Sequence, residues 1–179
     1  MAKPLVGISS CLTGQKVRYD GDHKFNTWIH TQIAPYVNLL PICPEAAIGM
    51  GIPRPPIQIR HTPTGLRALG RDNADIDVTD PLLHFADTIN RVYPHLCGYI
   101  FQSRSPSCGF RTTPIYNTEQ KEIARGSGLV ARRLSEQRPD LPIVNDTDLD
   151  EAGTERFLRE VMSRFNQHNP GIPEPGYSR

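Results

Sequence analysis

Pro4–Gly14 reads PLVGISSCLTG, a short apolar run that closes on Ser9-Ser10-Cys11 and turns at Gly14. The run is too brief for a stable helix and reads as a buried strand over Pro4–Ser9. The same pattern recurs at Val37–Ile42 (VNLLPI), Cys97–Phe101 (CGYIF) and Leu141–Val144 (LPIV). Helical spacing fills the intervals. Strands that alternate with helices imply a mostly parallel sheet covered on both faces.

The first helical interval carries Phe25, Trp28, Ile29 and Ile33 and stops at Pro35. Asp80-Pro81 predicts a second helix start, with Asp80 as N-cap and Pro81 in the first helical position. Leu82, Phe85, Ile89 and Val92 would form its apolar stripe. Gly126-Ser127-Gly128 leads into a short helix through Leu134; such a turn either cradles an anion at the helix N-terminus or simply reverses the chain. Thr147 with Asp150 resembles a capping box for the last helix, whose buried face is Leu149, Ala152, Phe157, Val161 and Phe165. Ile57–Leu69, around Thr62-Pro63-Thr64-Gly65, predicts a hairpin. Cys43–Pro56 and Gln102–Gly109 read as loops, and Phe110–Arg125 as a polar excursion. The expected architecture is α/β: one domain over residues 1–168, three layers, and a doubly wound, Rossmann-like sheet of about four mostly parallel strands. Residues 169–179 (NPGIPEPGYSR) read as a Pro/Gly-rich mobile tail.

Composition narrows the function. The 179 residues are 37% hydrophobic and 22% charged, a globular balance. Basic and acidic residues number 20 and 19, a net charge of +1, which argues against broad capture of DNA or of an anionic membrane. No apolar run approaches the roughly 20 residues of a membrane span, and the N-terminal run is too brief for a signal-peptide core. The expected location is the cytoplasm, where thiols stay reduced. Four cysteines are then ligands, nucleophiles or core filler rather than a disulfide framework.

Their positions separate them. Cys11 follows the first strand, Cys43 the second, and Cys108 lies in the loop after the third. Open α/β sheets bind ligands beyond the carboxyl ends of their strands, so these three thiols are expected to converge. Cys97 heads an apolar strand and reads as core. Each converging cysteine sits in a tight polar loop rich in small residues, Ser9–Gly14, Pro41–Glu45 and Ser103–Gly109, with amides and hydroxyls to offer a sulfur. Arg54 and Arg104 add positive charge. Three thiolates suit zinc or an iron–sulfur cluster. The six histidines show no ligand spacing, and His23 and His30 read as surface residues.

VGISSCLTGQKVRYDGDHK, PICPEAAIGMGIPRPP and SRSPSCG, taken in order, resemble the thiouracil desulfidase family, formerly the domain of unknown function DUF523. The resemblance runs from about Pro4 to Leu149. It implies a [4Fe-4S] cluster on Cys11, Cys43 and Cys108 with one iron open. It also implies non-redox removal of sulfur from thiolated uracil, as a free base or as a nucleotide such as 4-thiouridine monophosphate. Catalytic roles fall on Glu45 and Ser105. Two features depart from the family pattern: Gln102 stands where Lys is frequent, and Cys97 has no counterpart.

An open iron suits a soft thiocarbonyl sulfur, and the adjacent carbon then becomes open to water. Glu45, two residues from Cys43, is the candidate general base and acid; its competing role is an ion pair with Arg54. Ser105 is a candidate donor to the pyrimidine, or a shaper of its own loop. Arg18, Lys24, Arg54, Arg60 and Arg104 are candidates for a phosphate, and Ser10, Ser103 and Ser107 for further substrate contacts. The partner is a small thiopyrimidine met by a monomer or homodimer. The competing functions are a zinc-stabilised or redox-sensing domain without turnover, and a thiol enzyme with a single nucleophilic cysteine.

Overall fold

The computed structural model describes residues 2–170. All but the first two residues of the expected tail, 169–179, lie outside that range.

Four strands form the central sheet: β1 (Leu5–Ser9), β2 (Asn38–Ile42), β5 (Gly98–Phe101) and β8 (Ile143–Asn145). Their order is β2-β1-β5-β8 and every pairing is parallel. The chain steps from β1 outward to β2, then returns to β5 on the other flank of β1. The strand order therefore reverses at β1, and a crevice opens beyond its carboxyl end. This is the mostly parallel four-stranded α/β sheet expected from the sequence.

Alternation along the strands sorts the core into two layers. Val6, Ile8 and Ile100 face one side, where α1 (Thr27–Gln32) contributes Ile29 and α5 (Glu151–His168) contributes Phe157, Leu158, Val161 and Phe165. Ile42, Tyr99 and Phe101 face the other, against α3 (Thr79–Val92) and α4 (Leu129–Gln137). Burial of each Leu, Ile or Phe side chain contributes about 1.5–3 kcal/mol. Cys97 is buried in the α1/α5 layer just before the amino end of β5, as expected for core; Cys11 belongs to the same layer, but beyond the carboxyl end of β1.

A second sheet shares the core of the α3/α4 layer, through Ile57, Ile59, Ala68 and Ile115. Strands β3 (Ile57–Thr62) and β4 (Gly65–Gly70) form the expected hairpin, turning at Gly65 with φ 106°. Strands β6 (Thr113–Tyr116) and β7 (Glu122–Gly126) form a second hairpin, and β6 pairs with β3 in parallel. This hairpin is the form that the expected polar excursion, Phe110–Arg125, takes. Four of the five β7 residues are exposed, so no apolar alternation marks that strand.

Helix boundaries also differ from the sequence reading. The second helix begins at Thr79, after Val78, which puts Asp80 and Pro81 inside its first turn rather than at the cap. Its buried residues are Thr79, Leu82, Ala86 and Ile89; Val92 is 54% exposed at the fraying end. Asp150, not Thr147, caps the last helix, its carboxylate accepting from Gly153 N at 2.7 Å. The reciprocal capping box is Asn145 with Asp148, one turn earlier. Ala152 faces solvent, and Gly153 and Thr154 take its place on the buried face.

Candidate metal centre

Cys11, Cys43 and Cys108 line one cavity of about 280 Å³ at the carboxyl end of the central sheet. Ser10, Arg18, Lys24, Glu45, Arg54, Ser103, Arg104 and Ser105 line it as well. Three loops deliver these groups, and each loop is tied down locally.

The first loop is a tight 3-10 turn over Ser10–Thr13, closed by Gly14 in the left-handed region at φ 91°. Cys11 O accepts from Lys24 N at 2.8 Å and Leu12 O from Asn26 N at 3.0 Å, which brings Lys24 to the rim.

The second loop starts at Cys43 and continues into a single turn, α2 (Pro44–Ala47), with Pro44 in the first helical position. That turn directs Glu45 inward, where it is 8% exposed. Arg54 Nε donates to Glu45 Oε2 at 2.9 Å, and Ser107 Oγ donates to Glu45 Oε1 at 2.8 Å. Arg54 also donates to Val17 O at 2.8 Å, to Gly51 O at 3.1 Å and to Cys43 Sγ at 3.8 Å. The ion pair weighed against catalysis is therefore present, and it lies inside the candidate site.

The third loop carries Ser103–Gly109. Asp146 accepts from Ser103 N at 2.7 Å, and Asn145 both accepts from and donates to Phe110, at 2.9 and 2.8 Å. The carboxyl end of β8 thus clamps the loop at both ends, and Arg104 is held at φ 65°, a strained position for a residue with a Cβ. Ser105 Oγ accepts from Ser107 N at 3.3 Å and from Cys108 N at 3.1 Å. It faces the cavity while it shapes the turn that presents Cys108. Ser107, expected at the substrate surface, is fully buried behind the wall and reaches the cavity through Glu45.

Gly126-Ser127-Gly128 holds this loop from beneath. Gly128 N donates to Gly109 O at 2.7 Å, Leu129 N to Pro106 O at 3.0 Å, and Val130 N to Ser107 O at 3.0 Å. The amides at the start of α4 are taken by carbonyls of the cysteine loop. The turn is a support, not an anion cradle.

Four lining residues carried no clear signal in the sequence. Ser9 ends β1, accepts from Gln102 N at 3.0 Å and hydrogen-bonds the Cys108 thiol. Tyr19 and Arg71 reach the cavity rim, and Gln102 lines the wall. Arg71 follows the β3–β4 hairpin and arrives because its N donates to Pro56 O at 2.8 Å. Arg60 stays on the second sheet, donating to Arg71 O at 2.9 Å, and is not part of the lining.

Burial pushes the Cys11 thiol up to about 11, with Cys43 adding to the rise and Arg18 and Lys24 opposing it. Burial pushes Cys108 higher still, against the hydrogen bond from Ser9. All four cysteines are free. Three thiols that line one cavity are a donor set that would suit an iron–sulfur group there.

The model of the 2-thiouracil desulfurase family matches residues 6–146. The chain belongs to that family. Among solved structures it is similar to the [4Fe-4S]-dependent thiouracil desulfidase TudS (DUF523Vcz), with a TM-score of 0.60 and 27% identity over 83% of this chain and 93% of that one. A search of curated proteins found no match. The span 6–146 contains the three cysteine loops and ends at the Asn145–Asp146 clamp. No helix among the described residues of this desulfurase-family chain is long and apolar enough to cross a membrane.

Proposed function

We propose that the protein catalyses a non-redox, hydrolytic desulfuration of thiolated uracil, in which water and the thiouracil give uracil and hydrogen sulfide. The supporting observation is the convergence of three free thiols, from three separate loops, on one cavity that Glu45 shares.

Cys11, Cys43 and Cys108 are the proposed ligands of a [4Fe-4S] cluster with one iron left open. When bound, such a cluster supplies a soft, electron-deficient iron for the thiocarbonyl sulfur. The chain's own groups do the rest. Glu45 is fixed at both oxygens, so it takes a proton from water without moving and returns one to the leaving sulfur. The Ser105 hydroxyl, its oxygen already accepting two amides, keeps its hydrogen for the pyrimidine edge. Arg18, Lys24, Arg71 and Arg104 ring the opening and suit the phosphate of a nucleotide substrate such as 4-thiouridine monophosphate. Ser10 and Ser103 line the wall between the thiols. Four free thiols suit a reducing cytoplasm.

The test is anaerobic reconstitution followed by incubation with 2-thiouracil, 4-thiouracil and 4-thiouridine monophosphate. Brown protein that releases sulfide together with uracil or its nucleotide is expected. A colourless protein holding one tightly bound zinc ion, with no sulfide released, overturns the reading.

A further inference from the structure

Arg54 meets the cavity from within its wall. The sequence made it a candidate for a phosphate, but only 3% of its side chain is exposed. Its guanidinium already has four acceptors. Nη1 donates to Val17 O at 2.8 Å and to Gly51 O at 3.1 Å, and Nε donates to Glu45 Oε2 at 2.9 Å. Nη2 donates to Cys43 Sγ at 3.8 Å. The main chain is fixed too, with Arg54 N donating to Tyr19 O at 2.9 Å. A plane pinned at Nε and Nη1 cannot swing out to a substrate, and it fixes where Nη2 points.

The surroundings of Cys43 are arranged for a sulfur that loses its proton. As a thiol, Cys43 donates to Val17 O at 3.7 Å. Ligation to a metal removes the thiol proton, and that bond goes with it. Val17 O is not left unpaired, because Arg54 Nη1 still donates to it. The bond from Nη2 needs only the lone pairs of the sulfur, and a thiolate strengthens it through charge. Among the described residues, Cys43 is the one cavity thiol that accepts from a guanidinium. A lysine ammonium is a single point of charge and could not span the carboxylate, the sulfur and two carbonyls at once.

We propose that Arg54 is a positioning residue of the metal centre: Nη2 donates to the ligating sulfur of Cys43 while Nε holds Glu45, so that one rigid plane fixes the carboxylate against the loaded centre. This rests on the cluster reading above. Arg54 touches no substrate and takes no part in holding a phosphate. A charged donor on a ligating sulfur withdraws electron density, raises the reduction potential and slows loss of metal. The three ligands are therefore unequal, and Cys43 is the one whose sulfur is tied to the proton carrier through a shared cation.

The experiment compares wild type with Arg54→Lys, which keeps the positive charge and gives up the planar fork. Both are loaded anaerobically, and iron and sulfide per chain are counted first. Both are also prepared with arginine isotopically labelled at its guanidinium nitrogens. After reduction by one electron, labelled wild type should show coupling of the centre to a guanidinium nitrogen in pulsed EPR, and the labelled variant should not. The loaded variant should show a more negative midpoint potential and lose its visible absorption to a chelator roughly tenfold faster. A wild type that takes up no iron and sulfide overturns both the cluster reading and this inference. A loaded wild type without the nitrogen coupling overturns this inference alone, whether or not the variant folds. So does a loaded variant with wild-type potential and lifetime. A variant that keeps the coupling overturns it as well, because another arginine of the cavity would then be the donor.

Discussion

Arg54 and Glu45 form an ion pair at 2.9 Å in which only 3% and 11% of the two side chains is exposed. Two charges this far from water persist only when their remaining hydrogen-bonding groups are also met. Arg54 meets its own through Val17, Gly51 and Cys43, and Glu45 through Ser107. One pair of side chains therefore joins the Cys43 loop to the Cys108 loop and to the segment after Cys11.

Substitutions at this pair should separate framework from chemistry. Arg54→Met leaves a buried carboxylate without its cation and should cost about 3 kcal/mol in urea unfolding. Glu45→Gln keeps the shape and loses the proton carrier, so turnover should fall about 100-fold or more while iron and sulfide content holds. Ser107→Ala should cost about 1–2 kcal/mol and lower kcat with little change in KM, because it loosens Glu45 without touching substrate. Near wild-type turnover in fully loaded Glu45→Gln removes Glu45 from the mechanism.

The cationic rim makes a prediction about substrate. Arg71 and Arg104 lie at the opening, and both are exposed. If they hold a phosphate, Arg71→Ala and Arg104→Ala should each raise KM for 4-thiouridine monophosphate about tenfold, the loss of one charged hydrogen bond. KM for free 2-thiouracil should not move. Equal changes for both substrates would place the arginines in general electrostatics rather than phosphate binding.

The sequence disclosed the central sheet because its strands stand out as short apolar runs, most clearly β1 and β5, which are buried on both faces. Cys11, Cys43 and Cys108 were legible for the same reason: each follows such a run. What escaped notice was held by backbone rather than by pattern. Exposed β7 has no apolar alternation, so the β6–β7 hairpin left no trace. Arg71 reaches the cavity through a main-chain bond to Pro56, a contact between segments that no local spacing encodes. Ser107 looked like its serine neighbours, and only the fold shows that Ser105 faces the cavity while Ser107 turns to Glu45.

The buried thiols set the response to pH. Cys11 holds its proton more tightly folded than unfolded, with a folded value of about 11 against an ordinary 9.0. Stability from such a group is full below the unfolded value and drains away as pH climbs through the folded one. Metal-free wild type should therefore lose stability between about pH 9 and pH 11, on the order of 2 kcal/mol more than metal-free Cys11→Ser, read by urea midpoints. Loading runs the other way: ligation releases thiol protons, so reconstitution at limiting iron should be more complete at about pH 8.5 than at about pH 6.5. A metal-free stability that is flat across the alkaline range would show that Cys11 is not held protonated by burial.

Two glycines two residues apart give the sharpest test of how the Cys108 loop is supported. A Cβ on Gly128 would fall 2.6 Å from Ser107 C and 2.8 Å from Cys108 N, both main-chain atoms of a loop clamped at each end. Its φ of −58° suits alanine, so the penalty is steric and not conformational. A Cβ on Gly126 would meet Ile115 Cδ1 at 2.9 Å, the free end of a side chain that can turn aside. Gly128→Ala should cost about 1–3 kcal/mol and lower the iron bound per chain, because Cys108 N and its Sγ must move with the backbone. Gly126→Ala should cost less than about 1 kcal/mol and load normally. Equal loading of the two variants would mean that the start of α4 does not set the position of Cys108.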